Sequence, residues 1–248
     1  MARFSPDSRW LVATRADGGM QLWDLTARRL HQEWRGEGVG PFPVGFVPAT
    51  GHLLTREFGE EALAEWDVAS GQSVHTWLGD QEFGPGSIVA LSGLGEWAYL
   101  VDADGVSRLR NLQSGVESVL NTGLKQITQA AFSPDGRHFA AVSWQGTGEL
   151  WETHTLRRIT ALHGFVQSMN SVTFSPDSRR LAIGGDGNEA VKLWDVDSLQ
   201  ELMTLEGRGS GFHTVAFSPD GNVLGASNVH GALHLWRAAS LEEIRGRE

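Results

Sequence analysis

The sequence predicts an all-β fold of six repeated units, on three observations. Phe-Ser-Pro-Asp occurs at Phe4, Phe132, Phe174 and Phe217, and Phe46 and Leu91 hold the same phase, so this anchor recurs at spacings of 42, 45, 41, 42 and 43 residues. A second anchor follows each by 19 or 20 residues, at Trp23, Trp66, Arg110, Trp151, Trp194 and Trp236. Glycine supplies 31 of the 248 residues and falls largely in turns between short alternating apolar runs, with no helical periodicity. A period near 42 marks a stacked repeat architecture.

Each unit reads as four short strands, a to d. Strand a ends at the Phe, as in Ser171-Val172-Thr173-Phe174. Ser-Pro-Asp-Gly suits a type I turn, because Pro presets φ at the second position and Gly or Ser closes the fourth. Five of the eight prolines (Pro6, Pro48, Pro134, Pro176, Pro219) share this phase. Strand b follows, as in Arg180-Leu181-Ala182-Ile183, then a tight turn such as Asp17-Gly18, Asp104-Gly105, Gln145-Gly146 or His230-Gly231. Strand c carries the Trp, as in Val191-Lys192-Leu193-Trp194, and turns such as Ser70-Gly71 lead to an outer strand d, as in Glu201-Leu202-Met203-Thr204-Leu205.

Phe-Ser-Pro-Asp-Gly, Asp-Gly and Leu-Trp-Asp at this period resemble the WD-repeat β-propellers, and the resemblance runs the full length. It implies a six-bladed propeller of four-stranded antiparallel blades forming a single domain, with units near 1–40, 41–85, 86–126, 127–166, 167–210 and 211–248. One such sheet cannot bury both faces alone, so neighbours must stack. Trp23, Trp66, Trp151, Trp194 and Trp236 are expected to pack between blades. The family often links a b–c turn Asp, a Gly-His histidine, a strand b Ser or Thr and the Trp in a buried tetrad. Here the turn position holds Asp17, Glu60, Asp104, Gln145, Asn188 and His230, and the sole Gly-His, Gly51-His52, falls in an a–b turn. Incomplete polar networks and reliance on apolar packing are therefore expected. Blade three, with Arg110 in the Trp phase, diverges most. The first strand a is stunted and the last unit ends near Leu241-Glu242-Glu243-Ile244, so the expected propeller is incompletely latched, or the chain is part of a longer array. Unlatched blade edges would invite oligomerisation.

Composition excludes several classes. A net charge of −10 lacks the basic surface that nucleic acid or an anionic membrane needs. Without Cys there is no disulfide, thiolate metal site or Cys nucleophile. No apolar run reaches membrane-spanning length and the N-terminal residues lack a secretory core, so a cytoplasmic location is expected. Arg outnumbers Lys 18 to 2, a bias that fits a GC-rich bacterial genome.

Catalysis finds no support in the motifs, and neither an enzyme nor a cofactor is expected. Gly184-Gly185-Asp186-Gly187 precedes no helix, so it is not a phosphate loop. His230 and His234 lie on a turn and strand, not on one helical face. The resemblance implies instead a non-catalytic scaffold that presents b–c and d–a turns to a protein or peptide. Trp144, in a turn one residue before the tetrad position, is the candidate anchor, because Trp is enriched in interface hot spots. Gln129, Asn170 and His213, entering strand a, and the turn residues Asp17, Asp104 and Asp186 are the candidate polar rim. Two other readings are the docking part of a larger bacterial signalling protein, such as a Ser/Thr kinase, and a propeller hydrolase or small-ligand binder.

Overall fold

The computed structural model describes residues 2–5, 7–15, 17, 19–34, 42–47, 50–57, 62–77, 89–92, 96–101, 104–165 and 167–238. These are strands and turns, with no helix among the described residues. The chain forms two compact units, Met1–Asn121 and Thr122–Glu248.

The first unit holds three sheets, each of four strands paired antiparallel in chain order. Blade one is β1 (Ala2–Phe4), β2 (Trp10–Thr14), β3 (Met20–Asp24) and β4 (Arg29–Trp34). Blade two is β5 (Phe42–Phe46), β6 (Leu53–Glu57), β7 (Ala62–Asp67) and β8 (Gln72–Trp77). Blade three is β9 (Val89–Leu91), β10 (Trp97–Val101), β11 (Ser107–Asn111) and β12 (Glu117–Val119). In the second unit, blade four is β13 (Ile127–Phe132), β14 (His138–Ser143), β15 (Gly148–Glu152) and β16 (Arg157–Leu162). Blade five is β17 (Met169–Phe174), β18 (Arg180–Gly185), β19 (Val191–Asp195) and β20 (Glu201–Leu205). Blade six shows β21 (Phe212–Phe217), β22 (Val223–Asn228) and β23 (Leu233–Arg237). The outer strand expected near 241–244 and the tetrad position Glu60 lie outside the described residues.

The repeated Ser-Pro-Asp is a hydrogen-bonded a–b turn. The N–H of the fourth residue donates to the Ser carbonyl in blades one, four, five and six, from Ser8, Gly136, Ser178 and Gly221 at 2.8–2.9 Å. That residue lies at φ near 60–70°, which glycine tolerates and serine adopts at a cost. The Ser hydroxyl donates to the Asp two residues on, as in Ser133 to Asp135 at 2.6 Å, and accepts a strand b N–H, as from His138 at 2.9 Å. The same Asp accepts the N–H two residues further on, as from Arg137 to Asp135 at 3.1 Å. The Ser5, Ser175 and Ser218 hydroxyls hold Asp7, Asp177 and Asp220 below the ordinary carboxylate range. At Asp135 burial pushes upward, but the Ser133 hydroxyl and the Arg137 N–H outweigh it. In the c–d turns, backbone N–H groups of Ala27, Ser70 and Ser198 lower Asp24, Asp67 and Asp195.

Each sheet has two differently built faces. The rear face carries the anchors in one cross-strand row, such as Phe174, Leu181 and Trp194 in blade five. The forward face carries a row of small residues ending in Leu, as in Ala131, Ala140 and Leu150, or Thr173, Ala182 and Leu193. Within each unit the forward face of one blade packs on the rear face of the next. Val12, Met20 and Leu22 cluster with Phe46, Leu53 and Trp66. Ala140 and Leu150 cluster with Phe174, Leu181 and Trp194, and Ala182 and Leu193 with Leu224, Phe217 and Trp236. Small side chains leave the space that the next blade's Phe and Trp fill. Blade three offers Leu91, Ala98 and Arg110 in that row, and its contact with Leu54 is correspondingly smaller.

Trp66, Trp194 and Trp236 thus pack between blades, and Trp151 is buried and stacked on Phe139 at 5.9 Å. Trp23 lies on the rear face of blade one and is 36% exposed.

Candidate functional site

The b–c turns and the entries to strand a share one end of the blades in the second unit, as antiparallel order requires. Each b–c turn there is tied to the segment entering its own strand a. The N–H of Trp144 donates to Gln126 O at 3.0 Å, Asp186 to Ser168 O at 3.3 Å, and Val229 to Gly211 O at 3.1 Å. Trp144, Asp186 and Val229 are therefore equivalent. The residue count alone had aligned Gly187 with Trp144, but the blade five turn is one residue longer. Gly185 N bonds Ala190 O there, whereas Ser143 N bonds Thr147 O in blade four.

Trp144 is 54% exposed and Val229 56%, so two of these three pinned tips present apolar side chains to solvent. A Cβ on Gly146 would sit 2.0 Å from Gln167 O, so the Trp144 turn lies directly against the loop after β16.

A β-bulge near the start of strand a decides the polar candidates. Register shifts occur between Ile127 and Gln129, Met169 and Ser171, and Phe212 and Thr214. The extra residues are Thr128, Asn170 and His213, and a bulge re-aims its side chain. Thr128 Oγ1 donates to Met169 O of the next blade at 2.6 Å. Asn170 is buried, and its Nδ2 donates to Asp186 Oδ1 at 3.0 Å. Ser168 donates to Asp186, completing a Ser168–Asn170–Asp186 cluster. Gln129 turns inward as well, with Oε1 accepting Val172 N at 2.8 Å. Of the three expected rim residues at strand a, His213 is exposed, Gln129 ties blade four to blade five, and Asn170 is spent on the b–c turn of its own blade. Their amides satisfy buried backbone and carboxylate groups, which a solvent-facing role would leave unpaired. In the first unit, Asp17 is exposed, accepts Gly19 N at 3.0 Å and pairs with Arg15 at 2.8 Å. Asp104 is exposed on its turn.

The strand c residue two before the Trp was not singled out by sequence. In blade four it is Glu149, 3% exposed, which accepts from Thr122 Oγ1, Gly123 N, Trp151 Nε1 and Arg158 Nη1 at 2.7–3.1 Å. In blade five it is Lys192, 5% exposed, whose Nζ donates to Glu201 at 3.1 Å and Thr204 at 2.8 Å. In blade six it is His234, whose Nε2 accepts Arg208 N at 3.0 Å. Blade two retains a family-like pair, Trp66 Nε1 to Thr55 Oγ1 at 2.8 Å. The tetrad is replaced by contacts from strand c to strand d and neighbouring loops, so the polar networks are more extensive than expected. Like polar residues at one phase, read together, would have signalled this.

Glu149 and Lys192 are satisfied by their neighbours, which suits structure rather than proton transfer, while His234 Nδ1 has no hydrogen-bond partner. Among the described residues no group of three or more His, Asp or Glu could hold a metal ion. In the first unit a cleft of about 370 Å³ is lined by Asp7, Arg9, Trp10, His52 and Asp67. Its carboxylates accept the Ser5 hydroxyl and the Ala69 and Ser70 N–H groups, and His52 Nδ1 pairs with Glu65 at 2.8 Å.

The WD domain, G-beta repeat family model matches residues 1–24, 118–152 and 156–195. Over these three stretches the chain is similar to the WD-repeat family. Its fold class is the six-bladed β-propeller. A WD repeat-containing protein of Deinococcus radiodurans is 40% identical over 62 residues, covering 25% of this chain and 23% of its own. The target of rapamycin complex subunit wat1 of Schizosaccharomyces pombe is 24% identical over 62% of this chain and 50% of its own. The WD repeat-containing protein SL1-17 of Schistosoma mansoni is 24% identical over 73% of this chain and 60% of its own. The chain thus spans a quarter to three fifths of the length of these relatives. No helix among the described residues is long and apolar enough to cross a membrane.

Proposed function

We propose that this chain is a non-catalytic, cytoplasmic interaction scaffold whose six repeats act as a single domain. It engages a protein or peptide through the b–c turn end of its second unit. The observation that carries this reading is Trp144, a large aromatic 54% exposed on a turn tip whose own N–H is tied to Gln126 O. A rigid aromatic loses little conformational entropy on docking and contributes large apolar area, which is why Trp dominates hot spots. Val229, at the equivalent tip, and the exposed His213 stand at the same end on blade six, two blades on, and Asp17 and Asp104 are the candidate turn residues of the first unit by itself. The name of the Schizosaccharomyces relative, a complex subunit, is in keeping with such a role.

Quantitative affinity capture from cells of the source organism, with wild type beside Trp144→Ala, tests this. One or more partners should be depleted with the variant while the thermal unfolding midpoint stays put. An unchanged capture profile, or parallel loss of binding and stability, would overturn it.

A further inference from the structure

In the second unit, the segment 207–211 between β20 and β21 gives the Arg208 N–H to His234 Nε2 on β23 at 3.0 Å. A ring nitrogen that accepts carries no proton, so neutral His234 holds its proton on Nδ1. That Nδ1 is buried without a hydrogen-bond partner. Phe212, T-shaped to the ring at 5.3 Å, and Trp236, stacked on it at 5.8 Å, fix its place. The loop in turn positions the b–c turn of blade six. Arg208 O accepts Asn228 Nδ2 at 2.9 Å, and Asn228 Oδ1 accepts His230 N and Ala232 N, each at 3.0 Å. Gly211 O accepts Val229 N at 3.1 Å. One run of contacts thus leads from His234 through the loop to the Val229 tip. Glycines at 207, 209 and 211 leave the loop few side chains to pack, so these bonds, with Gly207 N to Asn188 O at 3.1 Å, hold it.

We propose that His234 is a pH-operated clasp on this loop. Neutral His234 accepts the Arg208 N–H and closes the loop on the blade six turn. Protonation at Nε2 turns that acceptor into a donor facing the Arg208 N–H, and the ring then has two N–H groups and no acceptor for either. The loop must leave, and its contacts to Asn228 and Val229 go with it. The charged and titratable groups that the described elements bring to this region add to the effect. β21 brings His213, the b–c turn His230, β23 Arg237 and the loop Arg208, against Glu206, which is exposed. β22 brings none. On blade five, Asp186 is held by Ser168 and Asn170, and Glu189 and Glu201 by Lys192. Closing the loop therefore excludes a proton, and acid favours opening, by up to about tenfold per pH unit once imidazole titrates. Any effect on partner binding rests on the scaffold reading, because Val229 stands at that site, whereas the clasp itself does not.

Amide hydrogen exchange of the full chain, followed by NMR, tests the proposal, read as protection factors so that the intrinsic pH dependence of exchange drops out. Between about pH 7.5 and pH 5, protection of the Arg208 and Val229 amides should fall about tenfold or more. The Trp144 amide, bonded to Gln126 O at the equivalent tip of blade four, should keep its protection. Nitrogen-15 spectra of the ring should show His234 as the Nδ1–H tautomer at about pH 7.5. His234→Gln supplies an acceptor that does not titrate and should flatten the fall, and His234→Asn repeats the test if the first variant unfolds. His230→Gln, at an exposed neighbour, should keep the wild-type fall. Arg208 and Val229 protection that follows Trp144 at every pH overturns the proposal. So does an Nε2–H tautomer of His234 at neutral pH, or a His234 variant that keeps the wild-type pH response. The measurement uses no partner, so its outcome is separate from that of the Trp144→Ala capture.

Discussion

Trp151 donates its indole N–H to the carboxylate of Glu149, two residues earlier on the same strand, at 3.1 Å. The equivalent Trp66 donates to a threonine on strand b instead. Glu149 also accepts from Thr122, Gly123 and Arg158, so one buried carboxylate ties strand c to strand d and to the segment entering blade four.

Glu149→Ala should therefore be among the costlier single changes. It leaves the indole N–H and the Gly123 N–H without an acceptor in a site only 3% exposed. Arg158, half exposed, can turn to water. A loss of about 2–3 kcal/mol is expected, set by the stranded donors more than by the ion pair. Urea unfolding at neutral pH measures it, and a shift under 0.5 kcal/mol would remove Glu149 from the stability account.

Gly184→Ala and Gly185→Ala should destabilise through overpacking. A Cβ at Gly184 would meet Ser171 Oγ at 2.5 Å and Phe212 O at 2.6 Å, and one at Gly185 would meet the Phe165 ring at 2.2 Å. Neither has positive φ, so close approach of neighbours is the cause. About 2–3 kcal/mol is expected for each. Gly187→Ala, in open space at φ 83°, should lose only about 1 kcal/mol, from backbone strain. Equal effects at the three sites would contradict this assignment.

Ser8→Gly should stabilise modestly. Ser8 occupies the turn position at φ 58°, where Gly136 and Gly221 stand in blades four and six. Relief of left-handed strain, less the entropy cost of glycine, leaves a gain of up to about 1 kcal/mol. Ser178→Gly should gain less, because Ser178 Oγ accepts Asp135 N across blades at 3.1 Å. Thermal midpoints of the two variants, compared side by side, read the difference.

Acid should weaken the repeat turns together. Asp7, Asp135, Asp177 and Asp220 titrate below the ordinary carboxylate value in the folded chain. The unfolded chain therefore binds protons first as pH falls. The stabilisation is fully present above the unfolded value of about 3.9 and is lost as pH falls through the lower folded values. Denaturant midpoints should decline from about pH 5 towards pH 3. Asp177→Asn should flatten that decline, and an unaltered slope would show that the turn carboxylates do not drive it.

Much of the fold was legible because it is local and repeated. Ser-Pro-Asp fixes a turn through its own side chains, and Trp and Phe at fixed spacing mark which strand face is buried. What the sequence alone could not place were features set by one-residue irregularities. The bulge at strand a sends Asn170 inward and Gln129 to Val172 N, and the longer blade five turn makes Asp186 the counterpart of Trp144. Counting residues misses both, because pairing and chain length separate wherever one residue goes unpaired.

By itself, then, the sequence determined the strand order within each blade, the turn chemistry and the anchor rows, since these depend on neighbours within about ten residues. Only the tertiary structure decided that Glu149 and Lys192 are buried and paired and that Trp144 stands in solvent. The physical reason is that burial belongs to the neighbouring sheet. Identical positions in a repeat become core or surface according to whether another blade lies against them.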